Sequence, residues 1–216
     1  MPALPMKEGY GPTLGVLAAP RWRAASPLAR RMIVLGAVAL GALAVAIVLT
    51  LLNPVYSHGA PVPFSFTYRG LHRVAAEPGG YVRVEKRSRS GRLAYSFAVD
   101  PLVLPAYRGE VEGELPIYAV SYVRALKRRD PGAVIRGEGK TRVNSVSAYD
   151  ILYTATVAGT PMFGRDVLLL PERAGVRKGV AIVMLTAQDA TRQVAGPMEV
   201  ATTGILFGPL RGFQIG

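Results

Sequence analysis

The sequence contains no cysteine. That absence excludes disulfides, thiol nucleophiles, cysteine-ligated zinc and iron–sulfur sites, and the lipid-modified cysteine that anchors bacterial lipoproteins. Histidine is nearly as scarce. His58 sits in a proline-rich stretch and His72 just after a strand, so one chain cannot build a two- or three-histidine metal site, and neither metal nor cofactor is expected. Acidic residues are also few: Asp+Glu number 14 against 26 Lys+Arg, a formal charge of +12. An anionic partner therefore has to be considered.

What is abundant is hydrophobicity, at 50% of residues with a mean hydropathy of +0.26, and it is concentrated. Met32 to Leu52 reads MIVLGAVALGALAVAIVLTLL, with no charge and with Thr50 as its one side-chain hydrogen-bonding group. At ~1.5 Å per residue this makes about 31 Å of helix, the thickness of a bilayer's hydrocarbon core. Arg21, Arg23, Arg30 and Arg31 precede the run and no cation follows until Arg69, which predicts a cytoplasmic N-terminus and an outer C-terminal portion in the plasma membrane. The h-region of a cleaved signal peptide is shorter and ends at an A-x-A-like site, whereas this run continues into NPVYSHGAP. An uncleaved signal anchor is the reading that follows.

The remaining 195 or so residues divide by composition. Residues 1–31, with five prolines and no sustained period, read as a disordered basic tail, and Trp22 lies between two arginines near the expected cytoplasmic interface. Residues 53–63 hold three prolines and read as an extended arm, reaching up to about 34 Å at ~3.1 Å per residue. Residues 64–216 carry the patterns of one mixed domain. Phe64, Phe66 and Tyr68 alternate with polar residues, Val82 and Val84 with Arg83 and Glu85, and Tyr95, Phe97 and Val99 with small residues, predicting successive antiparallel strands. Leu115, Tyr118, Ala119, Tyr122 and Leu126 recur at helical spacing up to the stop at Asp130-Pro131-Gly132. Tyr149, Ile151, Tyr153 and Val157 share one strand face, and Val167–Leu170 and Val180–Leu185 are continuous apolar runs of central-strand length. Pro197 is expected to open a second helix through about Leu206, and Leu210 to Ile215 to close as an extended segment.

This order of elements, with a leading FSFTY strand, a helix beginning ELPIYAVSYV and a closing helix before PLRGFQI, resembles the PsbP-like superfamily. Its bacterial members include secreted or anchored proteins of the LpqN lipoprotein type. The resemblance covers about residues 64 to 216 and implies an α+β fold, an antiparallel sheet sandwiched by helices in an α/β/α arrangement. It also implies accessory, binding or assembly roles in larger membrane systems. The membrane helix takes the place of the lipid anchor, and the family supplies no catalytic residue to carry over.

Catalytic motifs are thin. Gly139-Lys140-Thr141 resembles the end of a phosphate-binding loop, but the glycine required five residues earlier is Val134 and the following residues read as strand. His72 with Asp100 or Asp150 supplies the types for a hydrolytic triad without a G-x-S-x-G turn. Asp100, Asp150 and Asp166 would serve acid–base work only if the fold paired two of them. An extracytoplasmic hydrolase using carboxylates or His72 is thus the alternative reading.

The stronger lead is basic. Arg83, Lys86, Arg87, Arg89 and Arg92 cluster about one turn, and Arg124, Lys127, Arg128 and Arg129 gather at the end of the predicted helix. Helix-end cations complement the dipole by about 0.3 to 1 kcal/mol, and a solvated hairpin tip would explain the first group. Residues 53–216 nevertheless carry 21 Lys+Arg against 13 Asp+Glu. That excess suits anionic lipid, an anionic envelope polymer or another membrane protein. No recognition motif points to nucleic acid. The sequence therefore predicts a single-pass, membrane-anchored accessory module docking through these nine basic residues.

Overall fold

The computed structural model describes residues 26–105, 111–171 and 177–216, apart from the side chains at 49–52 and 111–112. Residues 1–25 of the expected disordered tail, with Arg21, Trp22 and Arg23, lie outside them, whereas Pro27–Arg31, read as part of that tail, are helical. The backbone divides into two units between Leu52 and Asn53.

The first unit contains helix α1, Pro27–Leu52. From Met32 to Val48 every side chain is exposed, and Pro27–Val48 has a mean hydropathy of 2.4. By length and composition such a helix suits a membrane anchor or signal sequence.

The second unit, residues 53–216, is α+β and contains two antiparallel sheets. A seven-stranded sheet has the order β3-β4-β5-β9-β8-β7-β6, with β3 at His72–Val74, β4 at Val82–Arg87, β5 at Leu93–Val103, β6 at Val134–Val143, β7 at Val146–Val157, β8 at Thr160–Leu169 and β9 at Lys178–Ala187. Helix α2, Val111–Arg129, connects β5 to β6. The small sheet has β2 (Phe64–Thr67) flanked by β1 (Val55–His58) and β10 (Gln214–Ile215).

Alternation along the strands gives the large sheet two buried faces. On one, Val84, Phe97, Val167, Ile182 and Met184 pack against Phe64 and Phe66 of the small sheet, against Phe213 just before β10, and against Val200 and Leu206. Phe66 and Phe97 meet at a centroid distance of 4.8 Å. On the other face, Tyr149, Ile151, Tyr153 and Leu168 pack against Leu115, Ala119 and Leu126 of α2. Burial on both sides explains the uninterrupted apolar sequence of β9.

Three expectations are corrected. The proline-rich stretch is not a free arm: Val55–His58 pairs with β2, Val62 is buried, and His58 packs 4.3 Å from Tyr81. Tyr56 and His58 face inward while Val55 and Ser57 face out, a strand period that the prolines mask. The expected helix from Pro197 to Leu206 is only a 3₁₀ turn at Pro197–Glu199, followed by the short helix α3, Phe207–Arg211. Ala201 at φ 60° and Gly204 at φ 71° take the chain out of helical space between them. Residues 134–143, read as no element, form β6, whose burial alternates along its length. Gly139-Lys140-Thr141 lies within it opposite Ala148–Asp150, so it is a strand segment and not a phosphate loop. Asn144 and Ser145 turn β6 into β7 with φ of 48° and 74°, as Ala158 and Gly159 turn β7 into β8 with 47° and 76°. Two successive positive φ values suit two-residue hairpin turns.

Candidate functional site

The basic turn is a real strand connection between β4 and β5, and carboxylates reach into part of it. Arg83 Nη1 donates to Glu77 Oε1 at 2.7 Å, and its Nε lies 2.8 Å from Glu85 Oε1. Arg87 Nη2 donates to Glu85 Oε2 at 3.2 Å, and Arg92 Nη2 to Asp189 Oδ2 at 2.8 Å. Arg83 is half-buried, whereas Lys86, Arg87, Arg89 and Arg92 are exposed. Lys86 and Arg89 have no ion pair among the described residues. Register explains the split: Arg83 and Glu85 are two residues apart in β4, so they share the face that α2 partly covers.

At the end of α2 the cations separate by helical geometry. All four, Arg124, Lys127, Arg128 and Arg129, are exposed; the first three lie on the same outer face as Ile117 and Val120, which are 69% and 50% exposed. Arg129 lies one turn beyond Ala125 on the side that carries Tyr118 and Tyr122, and it lines a cleft.

The cleft, of about 350 Å³, is bounded by Leu126, Arg129 and Asp130 on one wall and Glu77 and Arg83 on the other; Ala98, Asp100, Tyr153, Ala155 and Val183 are among its remaining lining residues. It exists because β5 and β9 present small or short side chains toward the α2 side. Burial raises the Asp100 carboxyl above its usual value, the Arg129 charge opposes this, Glu77 adds to it and Arg83 opposes it. Desolvation disfavours the Arg129 charge, but Tyr122, Asp166 and Tyr153 outweigh it, leaving its pKa above the ordinary value.

Beside the cleft is a buried acid that the sequence reading had placed only among possible paired carboxylates. Asp166 in β8 is fully buried. It accepts from Tyr153 Oη at Oδ1 and from Tyr122 Oη at Oδ2, both at 3.0 Å. Burial pushes its pKa up to about 7, while the two phenol donors and then the Arg129 charge hold it down and Asp100 adds slightly upward. Both phenols are pushed well above their ordinary range by burial and then by the Asp166 charge. Position 164 makes this arrangement possible: Gly164 is the cross-strand partner of Tyr153, and a Cβ there would stand 2.3 Å from Tyr153 Cζ. The ring therefore lies flat on the glycine and its hydroxyl reaches Asp166. The visible signal was an aspartate one residue ahead of the apolar run Val167–Leu170, two after a glycine.

The other candidates are structural. Asp150, the acid in an apolar strand, is held by two nitrogens of the Arg165 guanidinium, Nε at 3.1 Å and Nη2 at 2.7 Å. Arg165 Nη1 also donates to Val200 O at 3.1 Å, so the pair ties the closing segment to the sheet. His72 is exposed on edge strand β3, opposite Glu85, and does not line the cleft. Among the described residues no group of three His, Cys, Asp or Glu side chains is arranged to hold a metal ion.

No protein-family model matches the chain, and no curated protein matches it either. Solved structures do. The solution structure of cyanobacterial PsbP (CyanoP) from Synechocystis is similar over 76% of this chain and 92% of that one, with 15% identity and a TM-score of 0.51. A Pseudomonas aeruginosa protein of unknown function is similar over 64% of this chain and 85% of that one, with 10% identity and a TM-score of 0.34. The first likeness shows a PsbP-like fold, and no more than the fold.

Proposed function

We propose that the protein is a single-pass, membrane-anchored accessory module of the LpqN-type branch, with its PsbP-like domain outside the cytoplasm, docking on a membrane protein complex or an anionic envelope component. The observation that carries this reading is a fully exposed apolar helix followed directly by a domain with its own two-faced core. Anchoring confines the domain to a thin layer, which raises its effective concentration at a neighbour so that a weak contact suffices. The outer placement rests on the arginines that precede the helix. A reporter active only outside the cytoplasm, fused after Gly216, is expected to be active. An expressed but silent fusion would reverse the orientation.

The exposed cations Lys86, Arg87, Arg89, Arg92, Arg124, Lys127 and Arg128 are the proposed contact residues, with Arg83 and Arg129 serving the cleft. Replacing Arg87, Arg89 and Arg92 with serine is expected to cost little stability, since exposed substitutions stay within about 0.5 kcal/mol each. Partner recovery in mild-detergent pull-downs should fall several-fold at low salt, and the difference should shrink at high salt as screening takes over. Unchanged recovery at low salt would remove the turn from the interface.

One observation favours a second reading. The α2-side cleft gathers Glu77, Asp100, Arg83 and Arg129, the converging titratable groups that an extracytoplasmic enzyme using carboxylates would need. His72 drops out of that reading because it stands outside the cleft. Turnover of a substrate by wild type and its loss in Asp100→Asn would favour the enzyme over the docking module.

A further inference from the structure

The joint between anchor and domain is short. α1 ends at Leu52 and β1 begins at Val55, and Tyr68 N–H donates to Pro54 O at 3.0 Å. Two residues reach at most ~7 Å, about the depth of a headgroup layer, which takes up roughly 5 to 7 Å on each side of the hydrocarbon. Whatever surface surrounds Val55 is therefore held at the level of the headgroups if α1 spans the bilayer.

That surface has a distinct chemistry. Val55 is opposite Thr67 in the β1–β2 pairing. Thr67, Arg69 and Gly70 share one shallow depression with Ile205, Gly208 and Pro209, which brings α3 beside the joint. Val55 is 64% exposed and Phe207 38% exposed. Arg69, Arg73 and Arg211 are exposed as well. The Arg211 guanidinium lies 5.5 Å over the Phe207 ring, and that of Arg73 5.1 Å over Tyr56. Residues 53–57, 67–75 and 203–213 contain no aspartate or glutamate, although the domain has 13 such residues in all.

We propose that this small-sheet side of the domain, centred on Val55, Arg69, Phe207 and Arg211, lies against the headgroups of an anionic bilayer. An aromatic ring beside guanidinium groups is suited to that layer: the ring takes the boundary with the acyl chains, while the fork of donors takes phosphate oxygens. Attraction of cations to anionic lipid decays within a Debye length, and the joint keeps these arginines inside it. The opposite face of the sheet, with α2 and the cleft, is thereby turned away from the membrane and left open to a partner or ligand. The proposal rests on α1 spanning the membrane.

Because the chain lacks cysteine, single reporters can be placed at will. Gly208→Cys, Ser121→Cys and Leu40→Cys, each labelled with bimane, would be reconstituted as full chains in vesicles of phosphatidylcholine with about one-third phosphatidylglycerol. Gly208 is exposed with open space about it, Ser121 is exposed on α2 across the sheet, and Leu40 lies within α1. Quenching by a headgroup-attached nitroxide should be at least twofold stronger at 208 than at 121, and a nitroxide deep in the acyl chains should quench the label at 40. Adding Arg69→Glu and Arg211→Glu should bring the 208 signal down toward that of 121 without changing 40. Equal quenching at 208 and 121, with 40 protected, would overturn the membrane-facing surface and leave it to a protein partner. A label at 40 that escapes the acyl quencher would overturn the spanning anchor itself.

Discussion

Between pH 5 and pH 8 the domain of residues 53–216 is expected to lose about 3 kcal/mol of stability through one side chain, Asp166. Its folded pKa is about 7 against an ordinary 3.8. Between those values the folded state holds a proton that the unfolded chain has released, so stability is fully present below the unfolded value and is lost as pH rises through 7. The cause is desolvation of a carboxylate that is fully buried and held by two phenol donors. For a domain of this size the loss corresponds to a drop of roughly 6 to 12 °C in Tm, measurable by near-ultraviolet circular dichroism of the detergent-solubilised chain. Asp166→Asn keeps the shape and removes the titration, so its slope should flatten. Part of the slope should persist because the Asp100 carboxyl is shifted in the same direction. An undiminished slope in Asp166→Asn would show that the proton resides elsewhere.

Gly164→Ala is expected to destabilise by about 3 kcal/mol or more, the upper range for overpacking a well-filled core. The new Cβ would stand 2.3, 2.4 and 2.7 Å from three atoms of the Tyr153 ring. The ring has little freedom to yield, because Tyr153 is 2% exposed and its hydroxyl is bonded to Asp166. Strain and loss of the buried acid's donor therefore come together. Tyr153→Ala alone should be costly too, since truncating a buried aromatic takes about 3 to 5 kcal/mol. The combination supplies the sharper test: with the ring gone, adding Gly164→Ala should cost little, giving strong non-additivity in thermal melts. Simple additivity of the two losses would mean that the ring does not rest on the glycine.

The two substitutions also show what a single sequence reveals. Alternation and helical spacing were enough to place α2, β2, β4, β5 and the apolar β9, because each buries a face of regular period. The α+β class followed from those elements. β6 was missed because its inward positions are Ile135, Gly137, Gly139, Thr141 and Val143, so two glycines and a threonine interrupt the aliphatic alternation that would have marked a strand. β1 was missed because it is only four residues long within the six that separate Pro54 from Pro61, and an edge strand of that length tolerates prolines beyond its ends. Of the candidate site, the basic clusters were legible as charge. Their division into exposed cations and half-buried, carboxylate-held Arg83 was not, since Glu77 and Asp189 approach from other loops. Asp166 looked like any strand aspartate because its two partners come from positions 122 and 153, which only the three-dimensional pairing joins.

The strand order carries a consequence for synthesis. β5 pairs with β9, yet roughly 75 residues separate the end of one from the start of the other. A ribosome adding about 5 to 20 residues per second leaves the β5 edge, with Phe97 and Val99 on one side of it, unpaired for roughly 4 to 15 seconds. The stretch from β6 to β9 has far less delay: two-residue turns join β6 to β7 and β7 to β8, eight residues separate β8 from β9, and local hairpins close in microseconds. Folding should thus proceed from the later half backward, the β6–β9 meander forming first and then capturing β5. Until it does, the emerging first half is the part of the protein in need of a chaperone.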